Sequence, residues 1–138
     1  MVDLWTGRDK VNDRPYTDRT LTVCFSVSKG ATATMAHMLA ERGLLEYEAP
    51  VASYWPEFAA NGKAKITVAD ILSHRAGLSS FDPDSGIAIR DLGDWARCTT
   101  ALAAMHPLWE PRSAFSYHAI TYGFLVGEVI RRITGKMP

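Results

Sequence analysis

The sequence predicts an α/β (α+β) chain in which an N-terminal strand pair leads into a mostly helical remainder. Three observations carry that expectation. Two short apolar runs, residues 2–5 (VDLW) and 21–25 (LTVCF), flank a polar stretch holding Gly7, Asn12-Asp13 and Pro15, the pattern of two strands joined by turn and loop. From Ser26 onward the apolar period changes from strand-like to helical. Beyond Gly43, cap and stop signals mark out further helices.

The two apolar runs are expected to pair as a hairpin. In the segment that follows, Ala31, Ala33, Met35, Ala36, Met38, Leu39 and Ala40 leave almost no polar face, as in a helix enclosed by a larger domain. Gly43 is placed to stop this helix, with Leu44 set against Leu39 in a Schellman-type ending. Residues 44–65 contain Pro50, Pro56 and Asn61-Gly62 and read as irregular, with a short helical turn at 51–55. Thr67-Val68-Ala69-Asp70 has the form of a capping box, followed by Ile71 and Leu72 and closed at Gly77. Residues 81–86 read as a loop and 91–105 as a further helix. The last helix is expected at 117–134, where Tyr117, Ile120, Phe124, Val126, Val129, Ile130 and Ile133 keep a period near 3.6, with Arg131 and Arg132 in the final turn and Gly135 beyond. Ala119, Gly123 and Gly127 recur every four residues, predicting a close crossing with a neighbouring backbone.

Composition narrows the classes of function. Fifteen Lys and Arg balance fifteen Asp and Glu, so no net field draws the chain to nucleic acid or an anionic membrane. A length of 138 residues, with 47% hydrophobic and 22% charged, suits one globular unit. The first residues lack the basic and apolar regions of a signal peptide, and no apolar run is long enough to span a bilayer, so a cytoplasmic location is expected. Cys24 and Cys98 read as structural buried thiols. His37 and His106 carry no partner pattern, and the four histidines lack the spacing of a metal site, so neither metal nor cofactor is expected. His74 reads as a packing or dipole-facing residue late in the short helix, and His118 as facing either a pocket or solvent. Asp82 and Asp84 read as a solvated loop, and Trp5, Trp55, Trp95 and Trp109 as packing residues.

One constellation carries chemistry. In Val23-Cys24-Phe25-Ser26-Val27-Ser28-Lys29-Gly30 a hydroxyl stands where an apolar run gives way to a helix. At a helix N-terminus the Ser26 amide is free of intrahelical bonding, and the positive end of the helix dipole favours an oxyanion beside its Oγ. Lys29, three residues on, shares that helix face. A serine hydroxyl is a weak nucleophile until a base takes its proton, and a lysine of ordinary pKa, about 10.4, is protonated at pH 7. An apolar setting is what makes a lysine a proton acceptor, and the Ala-, Met- and Leu-rich sequence after Lys29 suggests one. The competing structural reading makes Ser26 an N-cap and Lys29 a solvated helix residue.

The neighbouring segments add a resemblance. Leu39-Ala40-Glu41-Arg42-Gly43-Leu44-Leu45, Ala49-Pro50-Val51, Tyr54-Trp55-Pro56, Ile66-Thr67-Val68, Leu72-Ser73-His74-Arg75-Ala76-Gly77-Leu78, Trp109-Glu110-Pro111 and Tyr117-His118-Ala119-Ile120-Thr121-Tyr122-Gly123 follow the nucleophile segment. In order and spacing the chain resembles the serine β-lactamase and penicillin-binding-protein superfamily, in particular esterases similar to class C β-lactamases. The resemblance implies a β-lactamase/transpeptidase-like fold in which Ser26 is acylated, Lys29 assists its deprotonation and Tyr117 is the partner general base, with a small-molecule ester as substrate and no metal. β-Lactamase or D,D-peptidase-type amide hydrolysis and a non-catalytic packing module stay open as alternatives.

Three departures qualify the resemblance. Ala119 stands where β-lactamases carry an asparagine, which tilts the expectation toward simple esters. Pro111-Arg112-Ser113 replaces a Pro-Gly-Thr turn, predicting a different turn or local damage where glycine would supply positive φ. The third motif, a Lys-Thr-Gly or His-x-Gly-like strand, has no counterpart in residues 1–138. The chain is therefore read as a partial hydrolase domain, and its turnover of p-nitrophenyl acetate is expected not to exceed that of Ser26→Ala.

Overall fold

A computed structural model describes residues 2–138. Two strands, β1 (Arg8–Asp9) and β2 (Arg14–Pro15), pair antiparallel with Arg8 opposite Pro15 and Asp9 opposite Arg14. Four α-helices follow: α1 (Val27–Glu41), α2 (Val68–Leu72), α3 (Trp95–Ala104) and α4 (Thr121–Thr134). Short 3₁₀ turns lie at Val51–Ser53, Pro56–Ala59, Pro83–Ser85 and Ile89–Asp91.

A strand pair exists, but within the polar stretch rather than in the apolar runs. Local hydrogen bonding builds it: the Asp9 carboxylate accepts from the Val11 amide at 2.9 Å and from Asn12 Nδ2 at 2.7 Å. Asp13 takes the left-handed backbone conformation (φ 49°) and pairs with Arg8 at 2.5 Å, as turn-forming Asp and Asn residues readily do. The runs 2–5 and 21–25 form no strand. Leu4 and Leu21 are 87% and 96% exposed, because a strand needs a partner edge and an apolar face, and neither run meets one among the described residues.

α1 ends as its sequence predicts. The Gly43 amide donates to Ala40 O and the Leu44 amide to Leu39 O, both at 2.9 Å, with Gly43 at φ 69°, a Schellman closure. Its enclosure does not follow: only Ala36 and Leu39 are buried, while Val27 and Met38 are exposed. One stripe of the helix packs toward α4, and the other apolar positions face outward.

The core lies under α2, α3 and α4, where Trp55, Phe58, Ile66, Val68, Ile71, Leu78, Leu102, Leu125 and Val129 are all buried. Removing each such large side chain from water contributes roughly 1.5–3 kcal/mol. The capping box at the start of α2 is present in full: Thr67 Oγ1 accepts from the Asp70 amide, and Asp70 Oδ2 accepts from the Thr67 amide. The helix stops earlier than Gly77, with Ser73 as C-cap and His74 left-handed at φ 63°. Gly77 (φ 75°) serves a later turn, where a Cβ would come within 2.7 Å of the Trp109 carbonyl oxygen. α3 begins only after Asp94, whose carboxylate caps the Arg97 amide at 3.0 Å.

α4 also starts late, leaving residues 117–120 outside it. The small-residue spacing does not produce a backbone crossing. At Gly123 a Cβ would meet nothing within 4 Å, whereas at Gly127 it would meet the Trp95 ring at 2.6 Å, so an indole uses the gap. Trp95 Nε1 donates to Glu128 Oε2 at 2.7 Å, and Arg131 and Arg132 also bind that buried carboxylate at 2.7 Å. The two arginines of the last turn thus serve a side chain rather than the helix terminus.

Cys98 is buried as expected, but Cys24 is exposed, because it lies in the unpaired run 21–25. Trp5 is half exposed for the same reason, in contrast to the buried Trp55. Lys63 is a buried cation that the sequence did not reveal. Its Nζ donates to Ala60 O at 2.8 Å and to Met105 O, and lies 5.5 Å from the Phe58 ring centroid. Among the described residues no helix is long and apolar enough to cross a membrane.

Candidate active site

Ser26 stands on a strained corner. Phe25 before it has φ 44°, a conformation that bulky residues adopt only when their surroundings hold them there. The first turn of α1 is tightened by bonds from the Val27, Ser28 and Lys29 amides to the Cys24, Phe25 and Ser26 carbonyls, each 3.1 Å. Ser28 Oγ donates to Phe25 O at 2.5 Å, holding the corner. Ser26 is the N-cap residue by position, but its side chain makes no capping bond. Its hydroxyl is therefore free for another partner.

That partner is Lys29. Its Nζ donates to Ser26 Oγ at 3.3 Å and to the Ala119 carbonyl oxygen at 2.6 Å. The same ammonium lies 5.1 Å from the centroid of the Tyr117 ring. Lys29 is half-buried rather than enclosed, since the apolar sequence after it faces outward along α1. Tyr117 is 48% exposed. The Ser26 hydroxyl foremost holds its phenol below the ordinary tyrosine value; desolvation comes next and opposes it, and Lys29 adds to the lowering by hydrogen bonding and charge.

The three residues predicted as a catalytic set are thus brought together by the start of α1 and the segment ahead of α4. Beside them lies an open cleft of ≈ 250 Å³, lined in part by Phe25, Ser26, Lys29, Thr32, Ala119 and Gly123. A hydroxyl next to an amine and an acidified phenol, at the positive end of a helix, is suited to nucleophilic attack on an acyl carbon. Among the described residues no group of three or more His, Cys, Asp or Glu side chains is placed to hold a metal ion.

Sequence reasoning missed several contributors. Ala119 contributes to this cluster neither through its missing side-chain amide nor through its small size but through its carbonyl, which accepts from Lys29. A backbone acceptor leaves no signal in residue type. His118 faces neither pocket nor solvent: it is fully buried, with Nε2 accepting from the Leu78 amide at 3.2 Å and Nδ1 donating to Ser116 O at 2.7 Å. Desolvation first, and the neighbouring His74 after it, lower its pKa, although the bond to Ser116 opposes them. Arg112 takes the positive φ itself and is held there by a carboxylate. It adopts φ 72°, the conformation expected of a glycine there, while its Nε reaches both Asp70 carboxylate oxygens at 3.0 and 2.9 Å.

This fold and this cluster have counterparts among known proteins. The family model named Beta-lactamase matches residues 1–138. The chain is 44% identical over 137 residues to the esterase/beta-lactamase LipL of Mycobacterium tuberculosis, covering 99% of this chain and 31% of that protein. Among solved structures it superposes on a family VIII carboxylesterase with a TM-score of 0.88 at 45% identity, covering 96% of this chain and 36% of that one. It also superposes on a penicillin-binding-protein homolog from Caulobacter crescentus with a TM-score of 0.83 at 40% identity, covering 93% and 34%. The chain belongs to the beta-lactamase family, within the serine β-lactamase and penicillin-binding-protein superfamily, and has the β-lactamase/transpeptidase-like fold. It spans about a third of the length of these relatives.

Proposed function

We propose that residues 1–138 form the nucleophile-bearing part of a serine hydrolase domain that cleaves carboxylic esters through an acyl-enzyme on Ser26. The observation that carries this reading is the position of Lys29 Nζ, held by Ala119 O at 2.6 Å and directed at Ser26 Oγ at 3.3 Å beside the Tyr117 ring.

In the first half-reaction, Tyr117 as phenolate takes the Ser26 proton while Lys29 stabilises the negative charge that phenolate carries. Ser26 Oγ bonds to the ester carbonyl carbon, and the Ser26 amide at the start of α1 donates to the oxyanion. Collapse breaks the carbon–alkoxide bond, and Tyr117 returns the proton to the departing alcohol. Water then attacks the acyl-enzyme along the same route, releasing the acid and restoring Ser26. Ala119 supports ester over β-lactam substrates, since its methyl offers no amide to hold a β-lactam side chain.

Because the chain spans about a third of its relatives, covalent labelling is a more direct test than turnover. A fluorophosphonate probe is expected to label the wild-type chain and not Ser26→Ala. Lys29→Ala and Tyr117→Phe should slow labelling by about 10²-fold or more, the scale of a lost general base. Equal labelling of wild type and Ser26→Ala, or none of either, would leave the chain a packing scaffold.

A further inference from the structure

Tyr117 lies ahead of α4 and half in solvent, so no helical ladder fixes it. We propose that His74 is the positioning residue that holds Tyr117 against Ser26 and Lys29, through a two-sided clamp that requires a neutral imidazole. This rests on the catalytic reading of Ser26, Lys29 and Tyr117 given above.

The clamp is read from the hydrogen bonds on either side of Tyr117. The Ser116 amide donates to the His74 carbonyl oxygen at 3.3 Å, and the His118 amide donates to His74 Nδ1 at 3.1 Å. Both neighbours of Tyr117 are thus tied to one residue. The His74 ring also lies against the Tyr117 ring, with centroids 5.0 Å apart, and is packed on its other sides by Phe115, His118 and Tyr122 at 5.9, 5.3 and 4.9 Å. His74 has φ 63°, an unusual conformation for a residue other than glycine and one that persists where the surroundings over-determine it. In it, carbonyl and ring serve the same segment. Leu78 extends the attachment, its amide donating to His118 Nε2 and its carbonyl accepting from Thr121 Oγ1 at 2.6 Å.

An Nδ1 that accepts a hydrogen bond carries no proton, so the neutral ring bears its hydrogen on Nε2. An imidazolium would turn a donor toward the His118 amide and break the clamp. The titratable and charged groups facing His74 are Lys29 on α1, Tyr117 and His118 on the clamped segment, and Tyr122 on α4. Desolvation first and the Lys29 charge second lower the His74 pKa, which favours the neutral form.

The test compares wild type, His74→Asn and His74→Phe in the 138-residue chain, with tyrosine Cζ labelled for NMR and Ser26 probed by fluorophosphonate. Asparagine tolerates positive φ and keeps an acceptor near the Nδ1 position; phenylalanine keeps ring packing and loses the acceptor. His74→Asn is expected to label at close to the wild-type rate, whereas His74→Phe is slowed by about tenfold or more, as for a misplaced general base. The Tyr117 phenol should titrate higher in His74→Phe than in the other two. In wild type the Tyr117 resonance should shift as pH falls below 6.5, the ordinary histidine value, and in His74→Asn it should not. Wild-type labelling and Tyr117 titration in His74→Phe would overturn the clamp, and a low-pH shift kept by His74→Asn would overturn the need for a neutral imidazole. Should His74→Phe fail to fold, the comparison of wild type with His74→Asn still decides. If Ser26 labels in none of the three, the catalytic reading has failed, and the Tyr117 titrations alone judge the clamp.

Discussion

Replacing Gly127 by alanine sets two effects of opposite sign against each other, and the structure decides between them. A glycine-to-alanine change inside a helix stabilises by about 1 kcal/mol through helix propensity alone. At Gly127, however, the new Cβ would lie 2.6 Å from Trp95 Cη2, 3.3 Å from Trp95 Cζ2 and 3.0 Å from Pro138 Cγ. Carbon atoms rest at roughly 3.5–4.0 Å, so the indole must move by about an ångström. It is not free to do so: Nε1 donates to the buried Glu128 carboxylate at 2.7 Å, and the ring packs on Phe124 with centroids 5.1 Å apart. Overpacking costs about 1–3 kcal/mol, and weakening a hydrogen bond to a charged group adds about 1 kcal/mol. Gly127→Ala is therefore expected to destabilise by about 2 kcal/mol net, lowering Tm by roughly 4–8 °C for a chain of this size. Thermal unfolding followed by tryptophan fluorescence measures it. Gly123→Ala is the control, because nothing lies within 4 Å of its Cβ, and it should raise Tm. A rise for Gly127→Ala as well would refute the packing argument.

Two further outcomes are expected. Arg112→Ala should unfold at lower urea than Arg112→Gly, because both lose the bonds to Asp70 and Lys65 O but only alanine retains the cost of φ 72°; equal midpoints would show that the turn is unstrained. Burial works to raise the Glu128 pKa, but Arg131, Arg132 and Trp95 overcome it and hold the carboxyl at about 2 against an ordinary 4.5. A depressed folded-state pKa stabilises above the unfolded value and loses that contribution as pH falls, here between pH 4.5 and about 2. With the two arginines 36% and 29% exposed, the loss is expected to be about 2 kcal/mol. Urea midpoints measured across that range should fall steeply in wild type and less in Glu128→Gln; parallel curves would place the acid sensitivity elsewhere.

Features written in neighbouring residues were legible in the sequence. The Gly43 stop with Leu44 and the Thr67–Asp70 box are local, since their donors and acceptors lie within five residues of one another. The start of α1 at Ser26 was legible for the same reason. The family resemblance placed Tyr117 with Ser26 and Lys29, which no period could have done across some ninety residues. Illegible were features decided by distant partners. α2 ends with Ser73 as C-cap, just ahead of a left-handed His74 whose ring is packed by Phe115, Tyr117, His118 and Tyr122. Residues 117–120 carry helical periodicity yet stay outside α4, where Lys29 takes the Ala119 carbonyl. The apolar runs 2–5 and 21–25 have strand composition without a neighbour to pair with, so composition misread them.

The turn at Arg112 has a consequence for the order of folding. A glycine there would reach positive φ unaided, early and independently of the rest of the chain. Arginine reaches it with Asp70 as its partner, 42 residues earlier in sequence, and Asp70 is oriented by the capping box of α2. A local corner has thus become a long-range contact, of the kind that slows folding. The turn should close only after α2 has capped, making the segment that leads to Tyr117 one of the last parts of the chain to find its place.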